Sequence, residues 1–324
     1  MTTGGKRRPG QPDWLDPELA TLTRERFSDP AWLYERKLDG ERCLAFRDRG
    51  RVRLMTRNQR EDTTTYPEVA EALAGQNADD FIVDGEIVAF VGEQTSFSRL
   101  QQRLGVRNPA PALLSAVPAV FYIFDVLWAE GRDVRALPLR ERKAILQKLL
   151  TFAGPLRYTE HIDTDGEQYY RQACSQGWEG VIAKRADAPY RAGRNRDWLK
   201  FKCENGQEFV IGGFTDPQGS RIGFGALLLG YYDAEGKLAY AGKVGTGFSQ
   251  QLLRNLHATL ARIERVRPPF DSGQLPRVRV HWVEPRVVCE VGFSEWTTDG
   301  QLRHPRFQGL RDDKEPAEVV RESP

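Results

Sequence analysis

Lys37 closes a strand-like run, Trp32–Lys37, and is followed at once by Leu38-Asp39-Gly40, a tight-turn sequence. A lysine so placed can point into a cleft while staying fixed. Its amine can attack phosphorus once nearby cations or desolvation remove its proton. Taken alone, the segment reads first as a surface hairpin closed by Asp-Gly. Other segments bear on the choice. Asp84-Gly85-Glu86 interrupts an apolar strand with two carboxylates where β-structure favours valine or isoleucine. Glu179-Gly180 opens a second apolar strand that ends on Lys184, and Trp198–Lys202 alternates so that Lys200 and Lys202 share one face. Each has a plainer reading as a solvated edge, a salt-bridge partner or the wet face of an edge strand. Together they form a set of parts for phosphate chemistry. Glu86 and Glu179 could hold Mg²⁺, a hard cation that prefers oxygen. Lys200 and Lys202 could neutralise charge on an α-phosphate and help keep Lys37 uncharged. An aromatic of the Phe121–Asp125 segment could stack on a purine, although core packing suits most of that segment.

The elements that must position these residues follow from periodicity. Strands are expected at Trp32–Lys37, Arg42–Arg47, Arg51–Arg57, Phe81–Phe90, Ala119–Trp128, Gly180–Lys184 and Trp198–Lys202. Helices are expected from Pro67 through Ala74 and at Phe97–Leu104, Pro138–Leu150 and Glu167–Gln176. Beyond about Glu204 the texture changes to short strands at Glu208–Thr215, Ala226–Asp233, Leu238–Lys243, Arg277–Val283 and Arg286–Val291, with one amphipathic helix at Gln250–Ile263. That pattern suits a small barrel such as the OB-fold, and a jelly-roll fragment or SH3-like barrel nearly as well. The expected class is α+β, an antiparallel-sheet domain followed by a small β-barrel. The expected divisions are a flexible segment 1–17, a first domain 18–204 and a barrel 205–324.

Composition excludes several alternatives. A chain of 324 residues calls for two cores, and 40% hydrophobic with 28% charged residues describes a globular protein. A net charge of +2 neither demands nor excludes nucleic acid. Cys43, Cys174, Cys203 and Cys289 form no C-x-x-C pair, so neither a zinc ribbon nor a disulfide framework is expected. The four histidines have no ligand spacing. Lys6, Arg7 and Arg8 precede no apolar stretch, and no run is long enough to span a membrane, so a cytoplasmic protein is expected. No P-loop is present, and Gly242–Gly247 lacks the third glycine of a dinucleotide fingerprint and reads as a hairpin.

In chain order, Glu35–Arg42, Thr56-Arg57-Asn58, Val83–Glu86, Phe121–Asp125, Glu179–Lys184, Trp198–Lys202 and Arg306–Lys314 resemble the motifs of the covalent nucleotidyltransferases: ATP-dependent DNA ligases, RNA ligases and mRNA-capping enzymes. The likeness runs from about residue 18 to residue 316. The whole most resembles the ligase module of bacterial end-joining DNA ligases, a likeness carried by the Pro-rich start, Leu302–Lys314 and Gly242–Phe248. It implies a nucleotidyltransferase (adenylation) domain followed by an OB-fold, and an enzyme that carries AMP from ATP on Lys37 while sealing nicked duplex DNA. It places Glu35 near the adenine, Arg42 and Arg57 at the nucleotide and the 5′-phosphate, and Glu86 at the ribose or, with Glu179, at the metal. Phe124 would stack on the purine, and Lys184, Lys200 and Lys202 would handle phosphate charge. Arg311, Asp313 and Lys314 would orient pyrophosphate. Mg²⁺, with Mn²⁺ as an alternative, is the implied metal. DNA repair or end-joining proteins are the implied partners, and a monomer is the default. No polymerase or phosphoesterase module and no large N-terminal DNA-binding domain accompanies these motifs, which leaves a free-standing ligase or a domain of a longer chain. The alternatives are an RNA ligase or capping-type enzyme, distinguished by its RNA ends or GTP, and a non-catalytic nucleic-acid-binding protein, which would form no covalent nucleotide.

Overall fold

The computed structural model describes residues 10–104, 110 and 116–322. The chain divides into two compact units, with the boundary between Cys203 and Glu204.

The first unit is built from two sheets. Its main elements in order are β1 (Glu18–Leu22), β2 (Trp32–Lys37), β3 (Glu41–Asp48), β4 (Arg51–Thr56), α1 (Pro67–Ala74), β5 (Asp80–Val88) and α2 (Phe97–Leu100). There follow β6 (Val120–Ala129), α3 (Leu139–Leu149), β7 (Leu156–Tyr158), β8 (His161–Ile162), α4 (Gly166–Ser175), β9 (Gly180–Arg185) and β10 (Gly193–Lys202). One sheet has the order β1-β10-β9-β2-β8, the other β7-β6-β5-β3-β4. Pairing is antiparallel except at β1–β10 and β7–β6.

The second sheet is buried on both faces, which explains its near-continuous apolar strands. Cys43, Ala45, Val83, Phe121 and Ile123 pack with Val69 and Leu73 of α1 and Leu146 of α3. The alternate residues Leu44, Phe46, Ile82 and Phe124 pack on the other side with Tyr190 and Trp198. Tyr190 lies in the chain between β9 and β10, and Trp198 on β10 itself. The period of two thus sends each strand's neighbours into two different cores.

Several expectations need correction. Residues 10–17, expected to be flexible, pack on the second sheet from Gln11 onward. Its side-chain amide donates to the carbonyls of Arg47 and Phe81, and Trp14 stacks on Phe46. The strand β1 was not anticipated, nor were the short β7 and β8. The helix expected at Phe97–Leu104 ends at Leu100, because Arg103 turns inward to Glu68 and to the carbonyls of Thr65 and Val117. Cys174 and Cys203 form a disulfide, contrary to the spacing argument. Packing of α4 against the first sheet brings their Cα atoms to 5.3 Å across 29 residues of sequence. Cys43 and Cys289 are free and buried.

The second unit contains β11 (Asn205–Thr215), β12 (Leu227–Tyr232), β13 (Leu238–Val244), α5 (Gln250–Ala261), β14 (Glu264–Arg265), β15 (Val280–Phe293) and β16 (Arg306–Leu310). The order is β13-β12-β11-β15-β14, with β16 also on β15, and every pair is antiparallel. The two strands expected around Pro285 are one long strand. A register shift opposite Gly212 accommodates Pro285, which cannot donate to a ladder. Gly242–Gly247 is not a hairpin: β13 runs through Val244, and the chain continues into α5. Leu253, Leu256 and Leu260 of α5 supply the helix's share of the core.

Candidate active site

Lys37 is the last residue of β2, and its register partner on β9 is Gly180. The turn after it is not a surface hairpin, because β2 and β3 belong to different sheets. Leu38-Asp39-Gly40 is a crossover between them. It is fixed at each of its three residues. The Asp39 carboxylate accepts the Phe97 backbone N–H at 2.9 Å, at the start of α2, and the Asp39 N–H donates to Thr95 Oγ1 at 3.0 Å. Leu38 is buried. Gly40 passes so closely over β5 that a Cβ there would meet Val88 Cγ1 at 2.7 Å and Glu86 Cγ at 3.1 Å. Asp39 and Gly40 are therefore what aims Lys37, and Glu86 lies against the same turn.

On the other side of Lys37, its ammonium ion-pairs with Glu179. Burial alone would raise the Glu179 carboxyl, but Lys37, Lys202 and Lys200 outweigh it and hold the group below the usual carboxylate range. The strand register explains the gathering: Gly180 faces Lys37 on one side and Lys202 on the other, and Ile182 faces Lys200. Gly180 is required there, since a Cβ would collide with the Phe201 carbonyl oxygen and φ is +152°.

Deeper in the same unit the three residues of Asp84-Gly85-Glu86 have separate tasks. Asp84 is fully buried and takes Arg42 on two bonds, of 2.5 and 2.6 Å, and the Tyr190 hydroxyl at 2.6 Å. Gly85 makes room for the Phe121 ring and the Tyr122 carbonyl. Glu86 is half-buried. Phe124 is 7% exposed; Lys184 Nζ stands 3.9 Å and the Arg42 guanidinium 4.6 Å from its ring centre, and Trp198 meets it edge-on. Glu35, on the face of β2 that carries Lys37, is gripped by two lysines: Lys184 at 2.7 Å and Lys143 at 2.6 Å.

Of the anticipated residues, Lys37, Glu179, Lys200 and Lys202 gather by register and charge, with Glu86 at the adjoining turn. Glu35, Lys184, Phe124 and Arg42 form a buried group beside them. Arg57 follows β4 and is half-buried. Arg311, Asp313 and Lys314 belong to the second unit. There Arg311 binds Asp313 twice at 2.8 Å and Glu290 at 2.7 Å, and Lys314 lies 3.4 Å from Glu208. Sequence reasoning missed Lys143 and Tyr190. Lys143 left a signal: with Leu139, Arg142 and Leu146 it occupies the apolar stripe of α3, where a lysine needs a partner.

The family described as ATP dependent DNA ligase domain matches residues 17–202, which contain every one of these first-unit residues. The chain belongs to the ATP-dependent DNA ligase family. The ATP dependent DNA ligase C terminal region matches residues 220–314 of the second unit. A multifunctional non-homologous end joining protein, LigD, of Pseudomonas aeruginosa is 39% identical over 99% of this chain and 38% of its own length. The multifunctional non-homologous end joining DNA repair protein LigD of Mycobacterium tuberculosis is 40% identical over 96% of this chain and 40% of its own. This ligase thus spans about two-fifths of the length of those relatives. Among solved structures, mycobacterial DNA ligase D complexed with ATP and MES is 36% identical and superposes with a TM-score of 0.68, covering 95% of this chain and 98% of that one. The two matched segments, residues 17–202 and 220–314, fall on the first and the second unit respectively. No helix among the described residues is long and apolar enough to cross a membrane.

Proposed function

We propose that this ligase seals a 5′-phosphate to a 3′-hydroxyl in nicked duplex DNA, with Lys37 as the residue that carries AMP. The observation that supports the assignment most directly is the position of Lys37 at a strand end, ion-paired with Glu179, with β9 alone between it and the strand that bears Lys200 and Lys202. Lys37 attacks the α-phosphorus of ATP; the N–P bond forms, and the bond to pyrophosphate breaks. The AMP passes to the 5′-phosphate of the nick. The 3′-hydroxyl then attacks that phosphate and expels AMP. Each step spreads charge over phosphoryl oxygens, so fixed cations at Lys200 and Lys202 and exact placement of the amine account for most of the acceleration.

Among the described residues no trio of acidic, histidine or cysteine groups forms a metal cage. Two carboxylates bordering the nucleophile, Glu86 and Glu179, suit a hard divalent cation such as Mg²⁺ or Mn²⁺, which completes its shell with phosphate oxygens and water. Such an ion supplies charge neutralisation to the phosphates. Glu35 is assigned to the base, Phe124 to purine stacking, Lys184 and Arg42 to the nucleotide and Arg57 to the 5′-phosphate. Arg311, Asp313 and Lys314 are assigned to pyrophosphate. The second unit is assigned as an OB-fold from its antiparallel order and the one α-helix among its described residues. The names of the relatives support end joining as the pathway; other repair proteins are the proposed partners and the cytoplasm the proposed location.

The test mixes the ligase with α-labelled ATP or GTP and a divalent metal, after pyrophosphate treatment to clear any resident AMP. Labelled protein with ATP that chases onto nicked DNA is the expected result. A GTP adduct would move the assignment to capping chemistry, and no adduct with either would overturn it.

A further inference from the structure

Lys143 lies on α3, outside every segment that carries the chemistry, yet its ammonium is 2.6 Å from Glu35 Oε1. It also donates to the Thr159 carbonyl at 3.3 Å and lies 5.0 Å from the Tyr158 ring centre. Lys184 holds the other oxygen, Oε2, at 2.7 Å, and its ammonium is 4.0 Å from the Trp198 ring centre as well as close to Phe124. No side chain of the three is more than 3% exposed. One buried carboxylate therefore faces two ammonium groups.

Burying so much charge is costly unless every group is paired, and a second lysine exceeds what neutrality requires. Its effect on Glu35 is specific. A carboxylate with a cation on each oxygen stays ionised and stays in one rotamer, and an ionised carboxylate can only accept hydrogen bonds. With Oε1 enclosed beside Lys143, the lone pairs left for a further donor are those of Oε2. Glu35 and Lys37 share a strand face two residues apart, roughly 7 Å along the strand. That distance suits a nucleotide with its phosphate at Lys37 and its base toward Glu35.

We propose that Lys143 is a positioning residue for nucleotide choice: it holds Glu35 as a fixed, acceptor-only group that takes a base bearing an exocyclic amine and rejects one bearing a carbonyl there. This rests on the assignment of Lys37 as the nucleotide carrier. An amine meets a waiting acceptor, whereas a carbonyl meets a carboxylate oxygen that it cannot pair with. Lys184 cannot do this alone, since it leaves Oε1 without its cation and the carboxylate free to turn.

The experiment measures self-adenylation and self-guanylation of the wild-type chain and of Lys143→Met, Lys143→Gln and Lys143→Arg, with α-labelled ATP and GTP and a thermal melt of each. The expected result is that the ratio of kcat/KM for ATP over GTP falls by about tenfold or more in Lys143→Met and Lys143→Gln, mainly through KM for ATP. Lys143→Arg should retain most of the ratio. A purely structural role would lower both nucleotides together and leave the ratio as it was, which would overturn the proposal. If Lys143→Met does not fold, the comparison of Lys143→Gln with Lys143→Arg decides, and equal ratios in those two also overturn it. A wild-type chain that forms no adduct at all refutes the carrier assignment instead.

Discussion

Lys37 is ion-paired with Glu179, the residue immediately before its own register partner Gly180. The proposed nucleophile and its acidic partner are thus held together by the pairing of two strands, and each can be perturbed through the backbone of the other.

Removal of the amine is the sharpest perturbation. Lys37→Ala should abolish labelled adduct and all sealing of unadenylated nicks, as read on a denaturing gel. Residual adduct on that variant would place the AMP elsewhere.

The neighbouring cations should matter by degree. Lys200→Ala and Lys202→Ala should each slow adenylation on the order of a hundredfold, the usual loss when a preorganised charge near a developing anion is removed. The labelled-adduct time course measures it. Rates within twofold of wild type would mean that these lysines serve only Glu179.

Gly180 should not tolerate a side chain. In Gly180→Ala the new methyl meets the Phe201 carbonyl, with an expected cost of about 2 kcal/mol or more. Adenylation should fall too, because Glu179 is the adjacent residue. A melt within a degree of wild type would contradict the geometry.

The disulfide between Cys174 and Cys203 closes a segment 29 residues long that contains Glu179, Lys184, Lys200 and Lys202. Cross-linking a loop of that size restricts the unfolded chain and is worth about 3–4 kcal/mol. Reduction, or Cys174→Ser, should lower the melting midpoint accordingly, and reductant should have no further effect on the serine variant.

Lys184 gives a pH signature. Burial pushes its ammonium down to about 8, with the nearby Lys143 adding to the shift and Glu35 opposing it. A depressed lysine binds its proton more weakly in the folded chain than in the unfolded one. Protonation below the folded value therefore costs stability, which is recovered as pH rises from about 8 to the unfolded value near 10.4. Chemical denaturation across that window should show wild type gaining on Lys184→Met, by about 3 kcal/mol at most. A gap that narrows with rising pH would reverse the sign.

Much of the site was legible because alternation along a strand fixes faces. Lys200 and Lys202 together, and Glu35 with Lys37, follow from a period of two. The order of the motifs identified the family. What the sequence could not convey was partnership across sheets. Leu38-Asp39-Gly40 has the chemistry of a hairpin turn, and nothing local says that the strands it joins lie in different sheets. The pairing of Cys174 with Cys203 depends on where α4 docks. Pro285 suggested a break, but a register shift absorbs it within one strand. Lys143 was readable as a misfit in an apolar stripe, although its partner, 108 residues away in the chain, was not.

A lysine built to be reactive is also exposed to cyanate, acyl phosphates and reducing sugars, any of which would end its working life. Lys37 at rest is ion-paired and only 19% exposed. In the role proposed for Lys37, contact with Glu179 works as chemical shielding and keeps the amine that would carry AMP from ageing between turnovers.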